Sequence, residues 1–159
     1  MRSLKPQELK ILPTDNMDKK QFIISKIEDS DSLCFAVLSD GSEYSSDKRG
    51  IAPLLLPIKN NRRFFDGAFV GDKIIGKAAA ELLVYSGAKY VYAKTISRTG
   101  TSVFDSHGVE YDYSVLTESI VNRNGDGPCP MEQAVAQSKS PEESFDLICR
   151  KYEMLTMHK

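Results

Sequence analysis

The sequence predicts a single α/β domain with helices packed on the faces of a mixed sheet. Three observations carry this prediction. Short apolar runs of strand type alternate with helix-type segments along most of the chain. The dipeptide Asp40-Gly41 separates the first two strand candidates, as a tight hairpin requires. The later strand candidates are each separated by a helix, the order expected of an α/β sheet.

The elements follow in order. Residues 1–16 are polar, carry Pro6 and Pro13, and are expected to form an N-terminal extension to one domain spanning 17–159. Asp18 to Asp29 offers Phe22, Ile23, Ile24 and Ile27 as the buried face of a short helix. Ser32 to Leu38 reads as the first strand and Glu43 to Ser46 as its return. Lys48 to Lys59 reads as a helix that Pro57 should kink or end. Gly67 to Gly71 is the third strand. Gly76 to Ser86 is the clearest helix, rich in Ala and Leu and closed by Gly87. Tyr90 to Ala93 gives a fourth strand and Ser97 to His107 a helix ending at Gly108. Val109 to Val115 alternates as a fifth strand. After a Gly- and Pro-rich loop, Met131 to Gln137 and Pro141 to Met154 read as closing helices, the second starting well at Ser140-Pro141.

Composition narrows the function classes. The chain has 159 residues, 21 Lys and Arg against 22 Asp and Glu, and a net charge of −1. That balance gives no electrostatic case for duplex nucleic acid or an anionic membrane as partner. No run approaches the ~18–20 apolar residues of a membrane span, and the start lacks a signal-peptide core. Cys34, Cys129 and Cys149 form no disulfide framework, which suits a reducing, cytoplasmic location.

Two segments could carry chemistry. In Gly71 to Ala80 a strand is expected to pass through a tight turn into a helix whose N-terminus offers free N–H groups and partial positive charge. Lys77 adds a cation in the first turn, against the dipole, which suggests an anionic partner such as phosphate or carboxylate. The alternative is a well-packed helix with a solvated Lys77. In Asn122 to Glu132, Cys129 precedes a helix, where a dipole can lower a thiol pKa. Glu132, one turn later, is expected to return and cap Cys129. Asn122 and Arg123 suit recognition of anions and polar bases. The alternative here is a glycine-rich loop with an inert cysteine. His107 and His158 are the only histidines and neither lies in an H-x-E pattern, so no metal and no cofactor are expected.

Arg49-Gly50-Ile51, Asp72 with Gly76 to Ala80, Gly87 to Ala93, and Asn122-Arg123 with Cys129 to Glu132 together resemble domain-of-unknown-function family 1893. That family is assigned to the cytidine deaminase-like superfamily. The resemblance implies a three-layer α/β/α fold with a mixed five-stranded sheet. Active zinc deaminases of that fold place H-x-E after the first hairpin and P-C-x-x-C after the third strand. By element order those positions fall near Asp47-Lys48-Arg49 and Gly76 to Ala80, which lack the ligands and the catalytic Glu. The expectation is therefore a protein without zinc-dependent deaminase activity that binds a nucleotide-like or other anionic small molecule. Asp72, Gly76, Lys77, Arg49, Asn122 and Arg123 would bind it, with Asp72 orienting Lys77. Cys129, Lys77 and Glu132 would carry any catalysis. A non-catalytic interaction or regulatory module is the alternative, and the sequence leaves a homo-oligomer open.

Overall fold

The structure, a computed structural model, describes residues 15–157. Its elements are α1 (Asn16–Glu28), β1 (Cys34–Val37), β2 (Glu43–Ser46), α2 (Ala52–Asn60), β3 (Phe69–Ile75), α3 (Lys77–Ser86), β4 (Tyr90–Ser97), α4 (Arg98–His107), β5 (Glu110–Thr117), α5 (Pro130–Val135) and α6 (Pro141–Met157). This is the predicted order. The five-stranded sheet runs β2-β1-β3-β4-β5. β1 is antiparallel to both neighbours, and β3, β4 and β5 are parallel. The mixed α/β sheet is thus as expected.

Strand alternation divides the core between the two sheet faces. Phe69, Tyr90 and Tyr92 pack with Ile23 and Ile27 of α1. Val70, Val91 and Ala93 belong to the larger cluster with α2, α3, Phe104 of α4 and Ile148 of α6. Gly71 lies under α1, where a Cβ would run into Ile23 and Ile27. α1 starts two residues earlier than expected because the Asp15 carboxylate accepts the Asp18 N–H at 2.7 Å as an N-cap. The expected extension otherwise lies outside the described residues.

β3 and β4 run four residues beyond their predicted ends, through Lys73 and Lys94. Sequence alternation hides this because the phase shifts there. Ile75 and Ile96 join the main core, whereas Ile74 is 55% exposed. Lys73 belongs in the strand for a reason visible only in three dimensions: its ammonium reaches the carbonyls of Ile27 and Ser30, at the end of α1. Asp72 is therefore a strand residue, and the turn into α3 contracts to Gly76.

Pro57 does not end α2, which continues to Asn60. A proline lacks the N–H that would bond the carbonyl four residues back. Here that carbonyl, on Pro53, accepts the Tyr44 hydroxyl at 2.7 Å instead. β2 thus supplies the donor that the helix cannot.

Candidate functional site

The carboxyl ends of parallel strands are where α/β sheets present ligand sites. In this chain β3 delivers α3 there, and α3 begins without a cap of its own. Gly76, its N-cap, has no side chain, and the first turn has no acidic residue. The helix N–H groups need an acceptor. Glu132 provides it from 55 residues away. One carboxylate oxygen accepts the Lys77 N–H at 2.8 Å and the other the Ala78 N–H at 2.7 Å. Any Cβ at position 76 would collide with that carboxylate.

The Lys77 side chain reciprocates. Its ammonium donates to the Ser138 carbonyl at 3.0 Å and lies 3.5 Å from that of Ala136, the C-cap of α5. Each helix end is therefore served by a charge from the other: a carboxylate at the positive end of α3, an ammonium at the negative end of α5. The backbone N–H groups at the head of α3 are thus met by the chain's own Glu132, while the Lys77 ammonium is met by carbonyls and not by a carboxylate. The expectation that Glu132 caps Cys129 is corrected, because both of its oxygens are directed to α3.

Cys129 is half-buried against the main core as the N-cap of α5. Its N–H donates to Ile120 O at 3.1 Å. Less than two turns of helix follow, opened by Pro130, which has no N–H, so the dipole acting on the thiol is small. The fold brings this segment against α3 through Glu132.

Asp72 does not reach Lys77. It is buried in β3 between Cys34 of β1 and Ala93 of β4, and accepts the Ile74 N–H at 3.2 Å. Burial pushes its carboxyl up to about 7, and burial together with Asp72 raises the Cys34 thiol well above its ordinary value. Asn122 is engaged within its own turn, exchanging hydrogen bonds with Asp126 at 2.8 and 3.2 Å. Arg123 is exposed in that loop, and Arg49 is exposed between β2 and α2. At the same end of the sheet, an open cleft of about 450 Å³ is lined by Asp31, Ser32, Ser45, Ser46 and Asp47. Its two carboxylates disfavour an anion. At the head of α4 the Ser97 hydroxyl accepts the Gly100 N–H at 3.0 Å, so this helix too is capped from within.

Sequence reasoning missed Glu81. It lies in α3 among Ala and Leu residues, 4% exposed, with one carboxylate oxygen lacking a hydrogen-bond partner. Burial raises its pKa, Lys77 and His107 oppose the rise, and Glu142 adds to it. A carboxylate inside an Ala-Ala-Ala-Glu-Leu-Leu run was the signal available. Among the described residues no group of three His, Cys, Asp or Glu side chains could hold a metal ion, and no helix is long and apolar enough to cross a membrane.

Comparison with known proteins places the chain in a family. No curated protein matches the chain. The crystal structure of a DUF1893 family protein, TM1506 from Thermotoga maritima, superposes with a TM-score of 0.75 at 23% identity, covering 92% of this chain and 99% of that one. At that identity the likeness shows the fold. The family described as "TM1506: Domain of unknown function (DUF1893)" matches residues 23–152. That span takes in the sheet, the α3 N-terminus and Glu132, and the chain belongs to the DUF1893 family.

Proposed function

We propose that this chain is a zinc-independent, cytidine deaminase-like module that acts through interaction rather than through catalysis at the α3 N-terminus. The Glu132 carboxylate on the Lys77 and Ala78 N–H groups carries this reading. In a zinc deaminase of this fold the corresponding helix end would present thiolates to the metal. Here it presents Gly76, Lys77 and three alanines, and its first two N–H groups are already taken by Glu132. A cytoplasmic location belongs to the same proposal and rests on the free thiols of Cys34, Cys129 and Cys149.

The test combines elemental analysis of the purified protein, a cytidine-to-uridine assay, and calorimetric titration with inorganic phosphate and with CMP. The expected result is no stoichiometric zinc, no uridine, and no binding of either probe at millimolar concentration. One tightly held zinc per chain with deamination overturns the proposal.

One observation favours a second reading, in which the chain binds a nucleotide-like or other anionic small molecule at this place. The site is a complete carboxylate cradle: two convergent N–H groups, a glycine that allows close approach, and Lys77 alongside. Glu132 would then occupy the position of the ligand and yield to it. Arg49, Asn122 and Arg123 would meet the rest of the molecule, and Cys129 would stand next to it. Tight phosphate or CMP binding by the unaltered protein selects this reading.

A further inference from the structure

The outer edge of β5 is built unlike the other edge of the sheet. β2 is four residues long, whereas β5 runs eight residues, from Glu110 to Thr117. Among the described residues nothing pairs with the outer side of β5. A long open edge presents unpaired N–H and C=O groups, and soluble proteins guard such edges with lysine, proline, a bulge or a covering element. β5 has no Lys, Arg or Pro. Its two acids are exposed but each has a partner within the chain: Glu110 pairs with Lys20, and Asp112 accepts the Tyr90 hydroxyl at 2.7 Å. The strand also exposes three large apolar side chains. Tyr113 is 44% exposed, Val115 49% and Leu116 36%, and Ile74 shares the cross-strand row of Thr95 and Val115.

We propose that this edge is a self-association surface, where β5 pairs antiparallel with β5 of a second copy about a two-fold axis at Ser114. The polarity of the strand selects that occupant. Both of its acids lie in the first half, and its exposed Val115 and Leu116 lie in the second. Antiparallel self-pairing sets the acidic half of each copy against the apolar half of the other, so Asp112 never faces Asp112. In the register centred on Ser114, Tyr113 lies opposite the partner's Val115, twice by symmetry, an aromatic and β-branched pair of the kind that stabilises sheets. At each end Glu110 approaches the partner's Glu118. Glu110 brings Lys20 and Glu118 brings Arg98, so two carboxylates meet two cations and the joint is neutral. A parallel, in-register pairing would instead stack like charges.

This inference deepens the module reading by giving the module a partner, and the two fail separately. Phosphate or CMP binding sinks the module reading and leaves the edge untouched. A monomer sinks only the pairing.

Sedimentation equilibrium of the full chain across micromolar concentrations should give a dimer of twice 17.7 kDa. Val115→Lys, which installs an edge cation, should shift the protein to monomer while its thermal melt is retained. Ser114→Cys provides a readout that does not depend on that variant folding. Opposed residues of an antiparallel pair have Cα atoms about 4.5–5.5 Å apart, inside the disulfide range of about 4.4–6.8 Å. Mild oxidation of Ser114→Cys should therefore yield a covalent dimer joined at position 114, located by peptide mass spectrometry. A monomeric wild type, a dimer unaffected by Val115→Lys, or a dimer in which Ser114→Cys does not cross-link would each overturn the proposal.

Discussion

Replacing Glu132 with alanine tests the central contact and has a magnitude that follows from its geometry. The wild-type carboxylate accepts two N–H groups at 2.8 and 2.7 Å on a helix with no other N-cap. Truncating an N-cap side chain costs about 0.5–2 kcal/mol, and each hydrogen bond to a charged group is worth about 1.5–3 kcal/mol. Glu132 is half-buried, so water can partly replace it. The expected loss is about 2–4 kcal/mol, or roughly 5–12 °C in melting temperature for a chain of this size. The emptied cradle should then accept a small anion. If acetate binds there with a Kd of about 10 mM, then about 100 mM acetate restores roughly 1.4 kcal/mol, close to 4 °C. Differential scanning calorimetry in acetate and in chloride at matched ionic strength measures both effects. A loss below about 0.5 kcal/mol, or equal recovery in the two salts, would refute the assignment of Glu132 as the α3 cap.

Four further outcomes follow from the same structure. Gly76→Ala should destabilise the wild type by displacing Glu132, yet cost much less in a Glu132→Ala background, so a double-mutant cycle in urea should show strong coupling. Asp72 has a folded pKa raised to about 7 from 3.8, so the unfolded chain ionises first and wild-type stability should fall as pH rises from about 4 to 7. Asp72→Asn should flatten that slope in urea melts while keeping an acceptor for the Ile74 N–H. Glu81, also raised by burial, adds a fall of the same sign that begins at its unfolded value of 4.5. Glu81→Leu should remove that part and stabilise the protein at pH 7 by about 1 kcal/mol, by eliminating an unpaired buried oxygen. A chain beginning at Asp15 retains the α1 cap and should melt within ~5 °C of the full chain.

The element order and the mixed sheet were legible because each segment carries its own local signal: the period of α3, the hairpin dipeptide, the closing glycines. Gly87 and Gly108 do adopt left-handed conformations, with φ of 91° and 67°. What local pattern could not supply was pairing at a distance. The ends of β3 and β4 look like turns because Lys73 and Lys94 break an apolar run, but mutual parallel pairing holds both in strand, and the carbonyls at the end of α1 receive Lys73. The candidate site divides in the same way. Lys77 and Glu132 were each legible as residues at helix starts, and the structure joins their segments. Their roles were not legible, because the Glu132 bond spans 55 positions. A clue was present on each side: α3 starts on a glycine with no acid in its first turn, and Glu132 stands in a six-residue helix with little dipole to serve. Matching a missing cap to a surplus carboxylate would have paired them.

The hydroxyl that Tyr44 gives to Pro53 binds the fates of two elements that are separate in sequence. Until the hairpin has closed, the carbonyl facing Pro57 must be left to water, so the middle of α2 gains its full stability only after β2 is in place. The amides of α2 and of the β1–β2 hairpin should then exchange with deuterium as one opening unit, at a common free energy below that of global unfolding. Tyr44→Phe should uncouple them, speeding exchange in α2 while that in β4, at the centre of the parallel ladder, stays unchanged.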